Sequence, residues 1–308
     1  MKAVVTGSTG FVGRWLVDEL LRYGDEVIAF VRDKKNVPKE WYASSKVTIV
    51  ESCLADYKKL IENSDFVEKA DLFFHFAWNG TSGINRNNID IQMQNIDASC
   101  DAIKLAKKMG CKRYIYAGSI MEYDALKSFQ TESLSVSGNV YSMAKATADY
   151  MLRTIAKSEE IEYVKVIISN IFGVGEKSER FINSILKKMM ADEEILLSKC
   201  TQRYDFIYVS DAVKAIALVG KKGINFKSYY IGNSEQHSLK EFVMRMYETI
   251  GSQSELNFGA IKMCGEPLDY IEFDTHKLKD EMNFVPEIKF EDGIKLLSKW
   301  IEEGEKSE

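Results

Sequence analysis

Along the first 170 residues, short apolar runs alternate with stretches whose apolar positions recur at helical spacing. The runs Lys2–Thr6, Glu26–Val31, Val47–Val50, Leu72–Phe76, Lys112–Ala117 and Tyr163–Ser169 are rich in β-branched and aromatic residues and read as buried strands. Between them, Phe11, Leu16, Leu20 and Leu21 form one apolar stripe, and Asn88–Met109 and Tyr141–Ser158 read as long helices. Six strands alternating with helices predict an α/β fold built on a doubly wound parallel sheet. Beyond Asn170 the texture changes. Glu179–Met190, Ala212–Val219, Ser238–Gly251 and Asp292–Glu303 read as helices, and Arg203–Tyr208 and Tyr229–Gly232 as short strands. Only three prolines occur, so no rigid linker divides the chain. The expected division is residues 1–170 with a return segment near 204–225, and residues 171–308 as a smaller, interleaved domain across the sheet's carboxyl edge.

Composition narrows the class. The 308 residues are 45% hydrophobic and 28% charged, which suits one large or two modest globular domains. No run approaches the ~18 apolar residues of a membrane-spanning helix. The N-terminus enters a strand directly, without a signal peptide's apolar core. Five scattered cysteines (Cys53, Cys100, Cys111, Cys200, Cys264) predict reduced thiols, a cytoplasmic location and no metal site. A net charge of −5 and the lack of a basic stripe argue against nucleic-acid binding. The acidic tail Glu302–Glu308 reads as a frayed end.

Candidate chemistry sits at strand ends. Gly7-Ser8-Thr9-Gly10-Phe11-Val12-Gly13 joins a strand to a helix, an arrangement whose backbone N–H groups bind a pyrophosphate. Gly7 would allow the tight turn, Gly10 the approach of backbone to phosphate, and Gly13 the packing of helix on strand. The alternative is an ordinary strand-to-helix turn. At the end of the second strand, where NAD-preferring proteins carry an acid, stand Val31 and Arg32. A guanidinium suits a 2′-phosphate, which favours NADP over NAD; Asp33 beside it pulls the other way, and Arg32 also reads as a solvated loop charge. The small Ala77 would let a nicotinamide ribose approach, whereas His75 reads as a packed core histidine. Ser119, at a strand end on the side of the glycine turn, is placed either to hold a substrate oxygen or to cap a turn. Tyr141 and Lys145 lie four apart on a helix, so a phenol and an ammonium share one face. That spacing is common by chance; where it is functional, the positive charge favours the phenolate and tunes it for proton transfer.

Taken in order, GSTGFVG (Gly7–Gly13), HFAW (His75–Trp78), SIMEY (Ser119–Tyr123), YSMAK (Tyr141–Lys145), SNIFG (Ser169–Gly173), RYDFIYVSDA (Arg203–Ala212) and FVPEIKFEDGI (Phe284–Ile294) resemble the extended short-chain dehydrogenase/reductases. Within them, the set is similar to the NAD-dependent epimerase/dehydratase family, over nearly the whole chain. The resemblance implies a Rossmann sheet with a smaller C-terminal substrate-binding domain. It implies Tyr141 as proton donor or acceptor, Lys145 as the group that lowers its pKa and holds the nicotinamide ribose, and Ser119 as the third catalytic residue. Thr9, Phe11, Val12, Leu54, Phe76, Ala77 and Trp78 join the glycines and Arg32 as expected cofactor contacts. Met121, Asn170 and Arg203 join Ser119 as expected substrate contacts, with Arg203 suited to a diphosphate. A homodimer through Asn88–Met109 and Tyr141–Ser158 is also implied.

The departures are informative. The family's dehydratases carry Asp-Glu directly after the serine-equivalent residue; here those positions are Ile120 and Met121, and Glu122 is displaced by one. Cys53 stands where many members have an acid, Ile167 where many have an arginine, and Trp78 where a small residue is usual. The expectation is an NADPH-dependent reductase of a nucleotide-activated 4-keto-6-deoxyhexose. A nucleotide-sugar 4-epimerase retaining NAD is the alternative, followed by a non-catalytic cofactor sensor and a reductase of non-sugar ketones.

Overall fold

In the computed structural model, which describes residues 1–131, 139–262, 268, 270 and 273–305, the β-branched runs pair into a seven-stranded sheet. Cys264 and residues 306–308 of the acidic tail lie outside the described residues. The chain forms two units, Met1–Ile168 with Val213–Tyr230, and Ser169–Ala212 with Ile231–Glu308. The first begins β1 (Lys2–Thr6), α1 (Phe11–Arg22), β2 (Glu26–Val31), α2 (Lys39–Ala43), β3 (Val47–Glu51), α3 (Tyr57–Glu62) and β4 (Leu72–His75). It continues through α4 (Ile89–Lys108), β5 (Arg113–Ser119), α5 (Glu122–Thr131), α6 (Asn139–Ser158) and β6 (Glu162–Ile168). The second unit starts with β7 (Asn170–Phe172), α7 (Phe181–Met190), β8 (Ile195–Leu197), β9 (Arg203–Tyr204) and β10 (Phe206–Tyr208). Helix α8 (Val209–Lys222) and β11 (Ser228–Ile231) follow, then β12 (His237–Ser238), α9 (Leu239–Ile250), β13 (Leu256–Phe258), α10 (Lys277–Met282) and α11 (Phe290–Glu305).

The sheet order is β11-β6-β5-β4-β1-β2-β3, and the pairs from β3 to β6 are parallel. Ala3, Val4 and Val5 of β1, Val27 to Val31 of β2 and Phe73 and Phe74 of β4 are buried, as strands covered on both faces must be. The order reverses beside β1, and at such a reversal a crevice opens outside the strands' carboxyl ends. Thr6 pairs with His75 and His75 with Tyr116, so β1 and β4 end level with each other. Helices α4 and α6 bury Ile96, Ala102, Ile103, Ala106, Ala148 and Leu152 in one apolar cluster with Phe73, Tyr114 and Tyr163 of the sheet.

The seventh strand, β11, is the one the chain pattern leaves out of the sheet. Its Ser-Tyr-Tyr-Ile run carries no local sign of the strand it will flank. The single strand expected over Arg203–Tyr208 divides in two at Asp205, whose carboxylate turns to accept the N–H groups of Asn233 and Ser234 at 2.8 and 3.0 Å. Among the described residues, the second unit has three two-stranded sheets: β7 with β10, β9 with β12, and β8 with β13. Its core is aromatic, with Phe172, Phe206, Tyr208, Phe242 and Phe290 in edge and tilted contacts. Among the described residues no helix is long and apolar enough to cross a membrane, no acidic or sulfur cluster is placed to hold a metal ion, and Cys53, Cys100, Cys111 and Cys200 are free thiols.

Candidate active site

The glycine turn is imposed by crowding. Gly7 leaves β1 at φ +67°, and a Cβ there would lie 2.8 Å from the Ala77 nitrogen and 2.9 Å from the Phe76 carbonyl carbon. A Cβ on Gly13 would lie 2.8 Å from the Gly7 carbonyl carbon and closer still to its oxygen. Gly10 begins α1 and donates its N–H to the Gly7 carbonyl at 3.0 Å. Ser8 is buried and ties the turn to β2 by donating to the Phe30 carbonyl at 2.8 Å. Thr9, Phe11 and Val12 are half-buried around the start of α1. The first turn of α1 carries no acid, so its N–H groups and dipole favour an anion.

Thr6 organises the neighbouring exit from β4. Its Oγ1 accepts the N–H groups of Phe76 and Ala77, each at 3.1 Å, and meets His75 Nδ1 at 3.1 Å. His75 Nε2 meets Ser99 Oγ at 3.1 Å, and Ser99 donates its proton to the Asn95 carbonyl at 2.7 Å. With that proton committed, Ser99 accepts from Nε2–H and Thr6 donates to Nδ1, which fixes the tautomer. Burial pulls His75 down to about 3, and the nearby Lys145 charge adds to the effect. His75 is thus a neutral scaffold residue that aims Phe76 and Ala77. The following loop is held by two amides on the buried face of α4. Asn95 exchanges hydrogen bonds with the backbone of Asn79 at 2.8 and 2.9 Å; Gln92 accepts from Trp78 Nε1 at 2.8 Å and donates to the Gly80 carbonyl at 3.0 Å. Sequence reasoning missed both. The available signal was two amides on a helix face otherwise bound for the core.

Tyr141 and Lys145 lie on α6, 9% and 5% exposed. Lys145 Nζ donates to the Ala117 carbonyl at 2.9 Å, and the Tyr116 hydroxyl donates to the Lys145 carbonyl at 3.1 Å, which ties α6 to the end of β5. The Nζ lies 3.7 Å from the centre of the Trp78 ring. Trp78 also meets Tyr141 edge-on at 6.2 Å, and the Arg86 guanidinium lies 4.7 Å from the Tyr141 ring. Trp78 therefore forms a wall against both catalytic candidates. Burial draws Lys145 down to about 7, with Glu122 opposing and Lys165 adding to that fall. Asp124, on α5, is pushed up to about 6 by burial, against the pull of Arg86 and Lys127.

Ser119 closes β5. Its Oγ accepts the Met121 N–H at 3.2 Å, which leaves its own proton to donate. Ile120 is buried and Met121 half-buried. Glu122 turns back: one oxygen accepts the Ser119 N–H at 2.7 Å and the other pairs with Lys165. Arg32 is exposed where β2 ends. Asp33 caps the next turn, its carboxylate accepting the Lys35 N–H at 2.9 Å. Leu54 opens a short turn after β3. There Cys53 donates N–H and S–H to Asp56 at 3.0 and 2.8 Å, holding Asp56 down to about 2 and the thiol above its usual range.

Two expected substrate residues belong to the second unit. Asn170 donates to the Asp205 carbonyl at 3.2 Å and to the Tyr270 hydroxyl at 3.3 Å. Arg203 is exposed on β9, and its guanidinium donates to the Gln236 carbonyl.

Known proteins share this plan. CDP-abequose synthase of Salmonella typhimurium is 26% identical, over 96% of this chain and 97% of its own length. The uncharacterized UDP-glucose epimerase YtcB of Bacillus subtilis is 24% identical, over 96% of each. The dTDP-4-dehydro-6-deoxyglucose reductase of Escherichia coli is 24% identical, over 97% of this chain and 96% of its own. In fold, the chain matches the crystal structure of the dTDP-glucose 4,6-dehydratase DesIV of Streptomyces venezuelae, with NAD and TYD bound, at a TM-score of 0.80 and 20% identity, over 100% of this chain and 98% of that one. The NAD dependent epimerase/dehydratase family matches residues 3–232, well over half of the sequence, and this protein belongs to that family.

Proposed function

We propose that the protein is an NADPH-dependent reductase of a nucleotide-activated 4-keto-6-deoxyhexose. The glycine turn, in which Gly7 and Gly13 pack against backbone with no room for a Cβ and which leads into the acid-free first turn of α1, fits a dinucleotide's pyrophosphate. Gly7, Thr9, Gly10, Phe11, Val12 and Gly13 would hold it, with Leu54 beside the adenine and Phe76, Ala77, Trp78, Tyr141 and Lys145 around the nicotinamide end. Bound there, the reduced nicotinamide supplies the hydride. Ser119 donates its free proton in a hydrogen bond to the keto oxygen. Tyr141 gives its proton to the alkoxide that forms, and the Lys145 ammonium stabilises the phenolate left behind.

The observation that carries this is the state of the residues after Ser119. Ile120 and Met121 have no acid to offer, and both oxygens of Glu122 are engaged away from a substrate, on the Ser119 N–H and on Lys165. Loss of water from a sugar needs an acid and a base at that place; proton transfer at one oxygen needs only Tyr141. Arg32, with Asp33 committed to its cap, favours a 2′-phosphate and so NADPH. Asn170 and Arg203 would hold the substrate's nucleotide diphosphate. Exposed Ile89 and Met93 of α4 and Tyr150 and Met151 of α6 favour a homodimer through these helices. The test is oxidation of NADPH, followed by absorbance, with dTDP-, CDP- and GDP-linked 4-keto-6-deoxyhexoses. No oxidation with any of them would sink the proposal. A 4-epimerase is the second reading, favoured by the relative YtcB, which is described as a UDP-glucose epimerase. Purified protein carrying tightly bound NAD, and turning over without added cofactor, would select it.

A further inference from the structure

Helix α6 carries Tyr141, Lys145, Asp149 and Arg153 at four-residue intervals, so one helix face leads from the site into a buried charge cluster. Asp149 accepts from Arg153 at 2.8 Å and from the Tyr163 hydroxyl at 2.7 Å with one oxygen, and from Lys165 at 2.7 Å with the other. Lys165, on β6, also donates to Glu122. Glu122 in turn accepts the Ser119 N–H at 2.7 Å. The chain of contacts thus returns to the turn that presents Ser119. Lys145, Asp149, Lys165 and Glu122 are all buried, the last only 1% exposed. Gly118 makes the room: a Cβ there would lie 2.8 Å from Glu122 Oε1. Burying ions is costly, and apolar residues of like volume often serve stability as well or better. Such a cluster therefore invites a role beyond stability.

We propose that Glu122, held by Lys165, which Asp149 holds in turn, is a positioning residue: it anchors the turn that carries Ser119 and sets the charge felt by the Lys145 ammonium. Its catalytic meaning rests on the function proposed above; its two physical effects do not. Swinging Ser119 away breaks a hydrogen bond to a carboxylate, stronger than one to a neutral acceptor. Lys145 is faced by Glu122 from α5 and Lys165 from β6, by Tyr116 from β5 and Trp78 from the loop after β4, and by His75 from β4, while Tyr141 and Asp149 stand four residues to either side on its own helix. Arg86 lies beyond Tyr141 and Arg153 beyond Asp149. His75 is neutral and Asp149 is shared between two cations. The Glu122 carboxylate and the Lys165 ammonium therefore act on Lys145 with opposite signs.

Both effects can be read without substrate or turnover. In protein carrying 13C-labelled lysine, the Lys145 titration is followed by NMR, its signal assigned by loss in Lys145→Met. Glu122→Gln keeps an acceptor for the Ser119 N–H but removes the charge, and the Lys145 midpoint moves down by on the order of one pH unit. Lys165→Met moves it up. If Lys165→Met does not fold, Glu122→Gln/Lys165→Met replaces it, and the midpoint returns toward that of the parent. An unmoved midpoint in Glu122→Gln, or shifts of one sign in both single variants, overturns the charge role, since lost packing alone has no sign to reverse. For the anchor, amide exchange at Ser119 is roughly tenfold faster in Glu122→Leu than in Glu122→Gln; equal rates overturn it. A protein that reduces no keto-sugar, yet shows both effects, refutes the proposed reaction and leaves this inference standing.

Discussion

Replacing Gly13 with alanine tests the cradle through a single methyl group. In an exposed helix the change would gain about 0.5–1 kcal/mol, because alanine is the better helix former. Here the new Cβ falls 2.8 Å from the Gly7 carbonyl carbon and 3.0 Å from Ser8 Cα, both backbone. Reaching the 3.4 Å at which ordinary contact begins requires a shift of about 0.6 Å between α1 and the turn, and more to clear the Gly7 oxygen. Overpacking of this kind costs ~1–3 kcal/mol, which outweighs the helix gain. The net expectation is a loss of about 1–2 kcal/mol in urea unfolding. The same shift moves the first-turn N–H groups off the phosphate, so the Kd for NADPH, read by fluorescence titration, rises at least ~10-fold, or about 1.4 kcal/mol. Gly304→Ala is the control, because a Cβ there meets nothing within 4 Å. A Gly13→Ala protein with parental stability and cofactor affinity would refute the cradle.

Tyr141→Phe is expected to lower kcat by roughly 10²–10⁴-fold while cofactor affinity stays within twofold or so; an unchanged rate would remove Tyr141 from the chemistry. Arg32→Ala should raise the Kd for NADPH by about tenfold and leave that for NADH unchanged; equal effects on both would make Arg32 a surface charge. His75 gives a pH dependence with a definite sign. It is neutral in the folded chain, with a pKa of about 3, and takes a proton near 6.5 when unfolded. Its contribution is whole above pH 6.5 and declines as pH falls toward 3, by about 2 kcal/mol between 6.5 and 5. His75→Gln should flatten that part of the stability curve, and an unaltered slope would contradict the neutral, buried state.

Much of the sheet was legible because each strand up to β6 is a run rich in β-branched or aromatic residues and bounded by turns, with a helix between it and the next. The glycine turn was legible for a stronger reason: Gly7 and Gly13 touch backbone, so the residue type records the contact. Strand β11 was not assigned to the sheet, since its place is decided by partners far away in sequence. Helices α2 and α3 are too short to show a period. Gln92 and Asn95 look like surface amides until the loop carbonyls and N–H groups they meet are known. Asp149 and Lys165 are hidden likewise: a carboxylate in a helix and a lysine in a strand read as solvated until the fold sets them against each other. Glu122 was visible as the acid out of step with the dehydratase pair, and its displacement by one position is what turns it from the substrate toward Lys165. The contact of the exposed Arg203 guanidinium with the Gln236 carbonyl was likewise not legible in its motif, because Gln236 lies 33 residues further along the chain.

The most direct measurement uses NADPH deuterated at its transferable position, with a nucleotide-linked 4-keto-6-deoxyhexose and mass spectrometry of the sugar formed. A reductase leaves one deuterium at C4 for each cofactor consumed. A product carrying none, formed without net oxidation of the cofactor, would contradict the account and turn the same three residues to epimerisation.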